Sequence, residues 1–193
     1  NSAVGSVSIV FSESVGGVDL TDFTLTRNGS PVSLPAGSLS GGGANYTLNL
    51  TSVTGQEGTY ILTLNASGSG ISDSAGNNLA ADTTDTWLTD TTVPTADIVD
   101  VTPDPRNSAV GSVSIVFSES VSGVDLGDFT LTRNGSPISL AGVSLTGSGA
   151  NYTLNLTSVT GQEGTYVLTL NASASGISDS AGNNLAADTT DTW

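Results

Sequence analysis

Three acidic residues, Asp90, Glu119 and Asp179, are the side chains of this sequence that we predict to act together on a ligand. Calcium prefers oxygen ligands, and it needs about six to eight of them at roughly 2.3–2.6 Å, with several carboxylates converging. Further oxygen-bearing side chains occur in the same stretches, namely Asp97, Asp125, Asp128, Asn183, Asn184 and Asp188. We therefore expect Asp90, Glu119 and Asp179 to hold a Ca²⁺ ion, if the fold brings their segments together.

Two of these residues have a simpler role open to them. Asp179 begins the run Asp-Ser-Ala-Gly-Asn, which favours a turn capped by its own aspartate, and Glu119 would then accept backbone N–H groups. The chain has neither the spacing of an EF-hand loop nor the glycine-rich nonapeptide of calcium-binding β-helices. From the residues alone, calcium binding and turn capping both remain open.

Catalysis has few candidate groups. The sequence contains no histidine and no cysteine, and its three basic residues are all arginine, so a nucleophilic serine would lack the usual base. Two acidic pairs, Glu13 with Asp73 and Glu119 with Asp179, have the residue types of a glycosidase site. In such a site two carboxyl groups lie about 5–9 Å apart across the cleft that holds the sugar. Because these residues lie in short predicted loops with little bulk to build a cleft, we predict that the protein is not an enzyme.

The elements that must position these residues come from a duplication. Residues 1–87 recur without a gap as residues 107–193, an offset of 106, with ten differences in 87 positions. A period of this length is too large for a solenoid unit and fits one small all-β domain. Near-identity of the two copies also argues against a unique active site.

Within each copy, apolar residues alternate with polar ones, which predicts half-buried β-strands. Val113, Ile115 and Phe117 share one face of such a strand, Asn134-Gly135 favours a two-residue hairpin turn, and Tyr166 opens a strand in a way compatible with a tyrosine corner. The predicted strands of a full unit are Ala96–Val101, Ser112–Ser118, Phe129–Arg133, Pro137–Leu140, Asn151–Leu156, Thr165–Asn171 and Thr189–Trp193. Seven short strands in about 100 residues fit an immunoglobulin-like sandwich.

Several runs of the sequence resemble the bacterial Ig-like repeats of large surface adhesins and biofilm-associated proteins. They are Ile115–Val121 (Ile-Val-Phe-Ser-Glu-Ser-Val), Val124–Phe129, Gly164–Leu170 and Gly176–Ala186, together with a junction run at Asp90–Thr95. The resemblance covers essentially the whole chain in both copies. Its motifs are specific for the domain family and say little about what a member binds.

The resemblance implies an all-β fold of two tandem immunoglobulin-like Greek-key β-sandwiches in a bead-on-string array. Residues 1–90 would form the first and residues 91–193 the second, whose linker and strand A lie within 91–106. In this topology the loop after the second strand and the loop before the last strand face the preceding domain. The predicted Ca²⁺ site would then lie at the domain junction.

The phase of the repeat predicts an incomplete first sandwich. Nothing before Asn1 corresponds to residues 88–106, so the chain resembles a window cut from a longer array, and its first domain would lack strand A. Either an edge strand stays exposed, or a neighbouring molecule supplies the missing strand. The second alternative would make the chain part of a continuous fibre.

Composition limits the partners and the location. A net charge of −15 repels nucleic acid and anionic membranes, and there is no run of about 18 apolar residues for membrane insertion. The absence of cysteine leaves no disulfides, and a chain rich in Ser, Thr, Gly and Asp suits an exported protein of the bacterial cell surface.

We therefore predict a non-catalytic structural spacer, stalk or fibre-forming repeat, which contacts neighbouring repeats or identical chains and polymerises by strand complementation. The alternative is a calcium-dependent adhesive module that binds glycan or another cell surface. A filament or surface-layer subunit that assembles with itself is a third alternative.

Overall fold

The computed structural model describes residues 2–193. Contacts divide the chain into two compact units, Asn1–Thr91 and Thr92–Trp193. The boundary predicted after residue 90 differs from this division by one residue. Among the described residues, no helix has both the length and the apolar character needed to cross a bilayer.

The first unit contains seven strands in two antiparallel sheets. The strands are β1 (Ser6–Gly16), β2 (Phe23–Arg27), β3 (Ser30–Val32), β4 (Leu39–Asn49), β5 (Gly58–Leu64), β6 (Ser72–Asp73) and β7 (Thr83–Thr89). One sheet has the order β4-β1-β6 and the other the order β3-β2-β5-β7. The strand β6 has two residues and pairs with β1 only at Val15 and Gly16, so most of one edge of β1 has no paired strand among the described residues.

The second unit also contains seven strands, but the first of them has no counterpart among the strands described for the first unit. The strands are β8 (Ala96–Ile98), β9 (Ser112–Val121), β10 (Phe129–Arg133), β11 (Ser136–Ile138), β12 (Ser144–Asn155), β13 (Tyr166–Leu170) and β14 (Thr189–Thr192). Its sheets have the orders β12-β9-β8 and β11-β10-β13-β14. Here β8 covers the edge of β9 that corresponds to the open edge of β1. The all-β, tandem immunoglobulin-like fold predicted from the sequence is confirmed.

The alternation of residue types explains why these segments form strands. In β9 the side chains of Val113, Ile115 and Phe117 point inward and are 2%, 0% and 3% exposed, whereas Ser114 and Val116 between them are exposed. Leu131 and Leu168 of the opposite sheet complete the same core. Burying a branched aliphatic side chain contributes about 1.5–3 kcal/mol, so these layers supply most of the drive for folding.

Several strand boundaries differ by one or two residues from the sequence prediction, and three differ by more. The strand β8 ends at Ile98 instead of Val101, β9 continues past Ser118, and β12 begins seven residues before the predicted Asn151. The early part of β12 contains glycines, and Gly147 at φ +119 passes so close to the backbone of Asn151 that a side chain there would clash. The strand is therefore bent and bulged instead of interrupted.

Both local motifs take the predicted geometry. Asn28 and Asn134 have positive φ values of 49 and 50, as the first residue of a two-residue hairpin turn requires. The hydroxyl of Tyr60 donates to the carbonyl of Gln56 at 2.9 Å, and the hydroxyl of Tyr166 donates to the carbonyl of Gln162 at 2.7 Å. Each tyrosine thus ties the start of its strand to the preceding corner.

Candidate metal centre

Asp179 lies at the centre of a tight turn in the second unit. Its Oδ1 accepts the backbone N–H groups of Ala181 and Asn183, both at 2.8 Å, and its Oδ2 accepts the side-chain amide of Asn183 at 2.7 Å. Asp179 and Asn183 are only 5% and 6% exposed. Turn capping, one of the two roles left open by the sequence, is therefore present.

The same contacts keep this carboxyl ionised. Burial, the largest single influence, pushes the pKa of Asp179 up. The hydrogen bonds from the side chain and backbone of Asn183 and from the backbone of Ala181 and Gly182 outweigh it together, so the pKa lies below the ordinary value. Capping thus leaves a carboxylate that carries its negative charge at neutral pH and can still attract a cation.

Glu119 lies beside Asp179 in the same unit. It is half-buried and belongs to β9, so the prediction that it lies in the loop after this strand is wrong, because the strand continues to Val121. One carboxylate oxygen of Glu119 and one of Asp179 lie within 4.8 Å of each other. Two carboxylates at this separation can share one cation, which would also relieve their mutual repulsion.

Asp90, the third predicted ligand, directly follows β7 and is half-buried. It belongs to the first unit, two residues before the second begins. Its participation in a calcium site stays a prediction and is taken up under the proposed function.

Several other acids named from the sequence have local capping roles instead. Asp125 accepts the N–H of Gly127 at 2.6 Å, and Asp188 accepts the N–H of Ala172 at 2.7 Å. Asp128 accepts the N–H of Asp125 at 2.8 Å and is 5% exposed, and burial raises its pKa with a smaller contribution from the nearby charge of Asp125. Asp125 and Asp128 thus stabilise a single 3₁₀ turn at Leu126–Asp128, and Asp188 stabilises a loop.

The first unit repeats the capped turn. Asp73 accepts the N–H groups of Ala75 and Asn77 at 2.8 Å and the Asn77 amide at 2.7 Å. These hydrogen bonds, led by the one from the Asn77 side chain, lower the pKa of Asp73. Glu13, the counterpart of Glu119, is exposed in this unit. The two copies therefore provide a natural comparison between capping and ligand binding.

The last strand carries a buried carboxylate that was not singled out from the sequence. Asp191 of β14 is 8% exposed, and its Oδ2 accepts the backbone N–H of Val101 at 2.9 Å. The alternation of residues in the last strand indicates that Asp191 is buried, because it lies on the same face as the buried Trp193. An acid at an inward position predicts a buried partner.

Comparisons with known proteins agree with the fold. A family model described as a bacterial Ig-like domain matches residues 90–192, and a second family model of the same description matches residues 1–92. No curated protein matches the chain.

Solved structures with some likeness include tandem immunoglobulin domains of other proteins. A titin A168–A169 structure is 13% identical, with 98% of this chain and 92% of that chain covered and a TM-score of 0.31. The full ectodomain of mouse nectin-like molecule 4 is 10% identical, with 100% and 60% covered and a TM-score of 0.33. Murine CEACAM1b is 12% identical, with 97% and 88% covered and a TM-score of 0.24. At these TM-scores the likeness supports no statement about ligands or partners.

Proposed function

Since this chain belongs to the bacterial Ig-like domain family in both of its repeats, we propose that it is a non-catalytic spacer, forming part of the stalk or fibre of a bacterial extracellular protein. Domains of this family are structural modules of surface proteins and are typically non-catalytic, and they are commonly found in extracellular or surface proteins. The spacer role, the absence of catalysis and the location on the cell surface are the proposal.

The observation that carries this proposal is the near-identity of two separately packed structural units. Ten differences separate 87 paired positions, and each unit buries its own apolar core. A spacer needs equal, independently stable units and no distinctive site, because length is gained by repetition alone.

Single-molecule stretching of the purified chain tests the mechanical role. If each unit is an independent element, the force curve shows two separate unfolding events. Each should lengthen the chain by about 300 Å, since an extended residue spans roughly 3.3–3.6 Å. A single cooperative event, or extension without resolved force peaks, would contradict the spacer role.

Labelling intact source bacteria with an antibody against the repeat tests the location on the cell surface. A signal that appears only in permeabilised cells would contradict that location.

A calcium-dependent adhesive module is the second candidate, favoured by the proximity of Glu119 and Asp179. In this proposal Asp90 joins the pair, and the three carboxylates bind one Ca²⁺ together with backbone or solvent oxygens. What supports it is the low pKa of Asp179 and the 4.8 Å limit on the Glu119–Asp179 separation. Calcium would order this end of the second unit and its loops for contact with glycan or another surface.

Titration with Ca²⁺ and a glycan-binding screen separate this candidate from a plain spacer. If the module is adhesive, calcium raises the melting temperature, a chelator reverses the change, and glycan binding requires the ion. Calcium stabilisation without glycan binding would indicate a spacer with a structural ion. No thermal shift would remove calcium from the proposal altogether.

Assembly by strand complementation is the remaining part of the proposal. Among the described residues one edge of β1 is paired only at Val15 and Gly16, and a strand added there, from a preceding repeat or from another molecule, would complete the sheet.

A further inference from the structure

Asparagine is followed by glycine at two places in the sequence, Asn28-Gly29 and Asn134-Gly135. In this pair the backbone nitrogen of glycine can attack the side-chain carbonyl carbon of asparagine, because glycine has no side chain to obstruct the approach. The new nitrogen–carbon bond closes a five-membered succinimide ring, and the side-chain nitrogen leaves as ammonia. The sequence therefore contains two positions at which the chain can modify itself without an enzyme.

Both turns are open to the solvent that this reaction needs. Asn28, Gly29, Asn134 and Gly135 are all exposed. Hydroxide removes the N–H proton of the glycine before the attack, and water afterwards opens the ring at one of its two carbonyl carbons. Opening at the side-chain carbon gives aspartate, and opening at the main-chain carbon gives isoaspartate. Because solvent reaches the turns, any protection must come from specific contacts of the asparagines.

In the folded chain each asparagine is held by two hydrogen bonds to one threonine. The backbone N–H of Asn28 donates to the carbonyl of Thr59 at 2.8 Å, and Oδ1 of Asn28 accepts the backbone N–H of Thr59 at 2.9 Å. Asn134 and Thr165 form the same two bonds at 2.8 and 2.9 Å. The side chain and the backbone of each asparagine are thus fixed to a segment 31 positions away.

A glycine lies against the same carboxamide. A Cβ atom at Gly58, which has φ +141, would lie 2.8 Å from Nδ2 and 2.9 Å from Oδ1 of Asn28. At Gly164, which has φ +147, the matching distances to Asn134 are 2.9 and 3.0 Å. The carboxamide therefore occupies the space that a side chain would take, in contact with main chain and with its oxygen already hydrogen-bonded.

We propose that Asn28 and Asn134 are deamidation sites that the fold keeps inactive and that react when their unit unfolds. The attack requires the carboxamide to turn toward the nitrogen of the next residue. That rotation breaks the hydrogen bond from Thr59 or Thr165 and moves the amide away from the glycine beside it. In an unfolded unit neither contact is present, so ring closure proceeds at the rate of a free Asn-Gly pair.

The isoaspartate product changes the hairpin permanently. It adds the Cβ carbon to the main chain between Arg27 and Ser30, which are paired residues of β2 and β3. A turn with positive φ at both central residues connects its strands through two residues of ordinary length, so a longer link disturbs this pairing. Each event also adds one negative charge to a chain whose net charge is −15. A unit that stays unfolded long enough is therefore marked chemically and re-forms its hairpin poorly.

Peptide mapping by mass spectrometry tests the proposal on the full chain. The folded chain and a peptide of residues 24–33 are incubated in the same mildly alkaline buffer, and a further sample of the chain is kept in guanidinium chloride. Deamidation of the folded chain should be at least about tenfold slower than that of the peptide, because a hydrogen bond must break first. The denatured chain should react as the peptide does. Equal rates in the folded chain and the peptide would overturn the proposal.

The variant Gly58→Ala makes the test specific to the contacts of one asparagine. Its Cβ displaces the carboxamide of Asn28, so deamidation there should rise about tenfold while Asn134 of the same molecule stays slow. Gly164→Ala should reverse the two sites. Tyr60→Phe is the control, because it removes a hydrogen bond of the first unit without touching the carboxamide, and it should leave Asn28 slow.

An Asn28 rate that Gly58→Ala leaves unchanged, or that Tyr60→Phe raises equally, would overturn the proposal. If Gly58→Ala does not fold, the comparison of the folded chain with the peptide still decides.

Refolding tests the effect of the product. Chains kept unfolded until both turns have reacted should recover less native tryptophan fluorescence on dilution than freshly unfolded chains. The loss should be confined to molecules that carry isoaspartate. Full recovery by molecules with isoaspartate at both turns would overturn the permanent change to the hairpin. The spacer role does not depend on either result, because it requires folded units and not a particular turn chemistry.

Discussion

The backbone N–H of Val101 donates a hydrogen bond of 2.9 Å to the carboxylate of Asp191, ninety positions further along the chain. This contact joins the segment that follows β8 to the last strand of the second unit. Asp85, the counterpart of Asp191, has no such segment beside it among the described residues and is exposed. One residue type at equivalent positions thus has two different roles.

Replacing Asp191 with Ala should therefore destabilise the second unit more than Asp85→Ala destabilises the first. A hydrogen bond to a charged, buried group contributes about 1.5–3 kcal/mol, whereas the loss at the exposed Asp85 should stay within about 0.5 kcal/mol. Denaturant unfolding reports each unit separately if its own tryptophan is kept and the other is changed to Phe. Equal losses in the two units would contradict the role assigned to Asp191.

Ile115 and Ile9 provide a second matched pair. Ile115→Ala should cost about 2–5 kcal/mol, because the side chain is 0% exposed and its removal leaves a cavity. Ile9→Ala should cost clearly less, since Ile9 is half-buried at the open edge. The same two-tryptophan unfolding measurement checks both. A larger loss at Ile9 would contradict the weaker burial of this side chain.

Removing the hydroxyl group of the tyrosine corner should lower the free energy of unfolding by a similar amount in the two units. Tyr166→Phe removes the hydrogen bond to the Gln162 carbonyl, and Tyr60→Phe removes the one to the Gln56 carbonyl. Each change should lower the free energy of unfolding by about 0.5–1.5 kcal/mol, the usual net value of a neutral hydrogen bond. Urea titration at constant pH measures it, and no change in either unit would mean that the corner contributes nothing to stability.

The free energy of unfolding of the second unit should fall in acid as the carboxylate of Asp179 becomes protonated. The folded state lowers the pKa of this carboxyl below its ordinary value of 3.8, so the ionised form favours folding. Its stabilising contribution is complete above the unfolded value and is lost as the pH falls through the lower, folded value. In calcium-free buffer, Asp179→Asn should flatten the dependence of unfolding free energy on pH below about 4. An unchanged acid limb would contradict the pKa shift.

Calcium binding should depend on Glu119 and not on Glu13. Glu119→Gln should reduce Ca²⁺ affinity by at least about tenfold and remove any thermal stabilisation by the ion, because one charged ligand is lost. Glu13→Gln is the matched control and should leave both unchanged. Isothermal titration and thermal melting with and without chelator measure these effects. Equal effects of the two variants would place the ion elsewhere.

The local features could be predicted because neighbouring residues cause them. The alternation through Ile115 determines which face of β9 is apolar, Asn134-Gly135 can take the positive φ values of a hairpin turn, and Tyr166 reaches a carbonyl only four residues away. The turn at Asp179 is equally local, since its caps come from residues two and four positions later. Each of these depends on backbone preference or short-range hydrogen bonding.

The ends of the strands and their pairing partners could be predicted less well from the sequence. Gly147 and Gly149 lie outside the predicted strand Asn151–Leu156, but β12 passes through them with a bulge, because the partner β9 decides where pairing ends. Glu119 lies in a strand for the same reason. Its distance from Asp179 depends on how two segments sixty residues apart meet, and spacing along the chain does not specify that.

Residue types and their period were enough to predict the repeat, the all-β class and the inward face of each strand. The local context does not separate Ile9 from Ile115, because both occupy the run Ser-Val-Ser-Ile-Val-Phe-Ser. The fold makes them different, since Ile9 is half-buried and Ile115 is fully buried. Strand β8 pairs with β9 beside Ile115, whereas among the described residues no strand pairs with the matching edge of β1 beside Ile9.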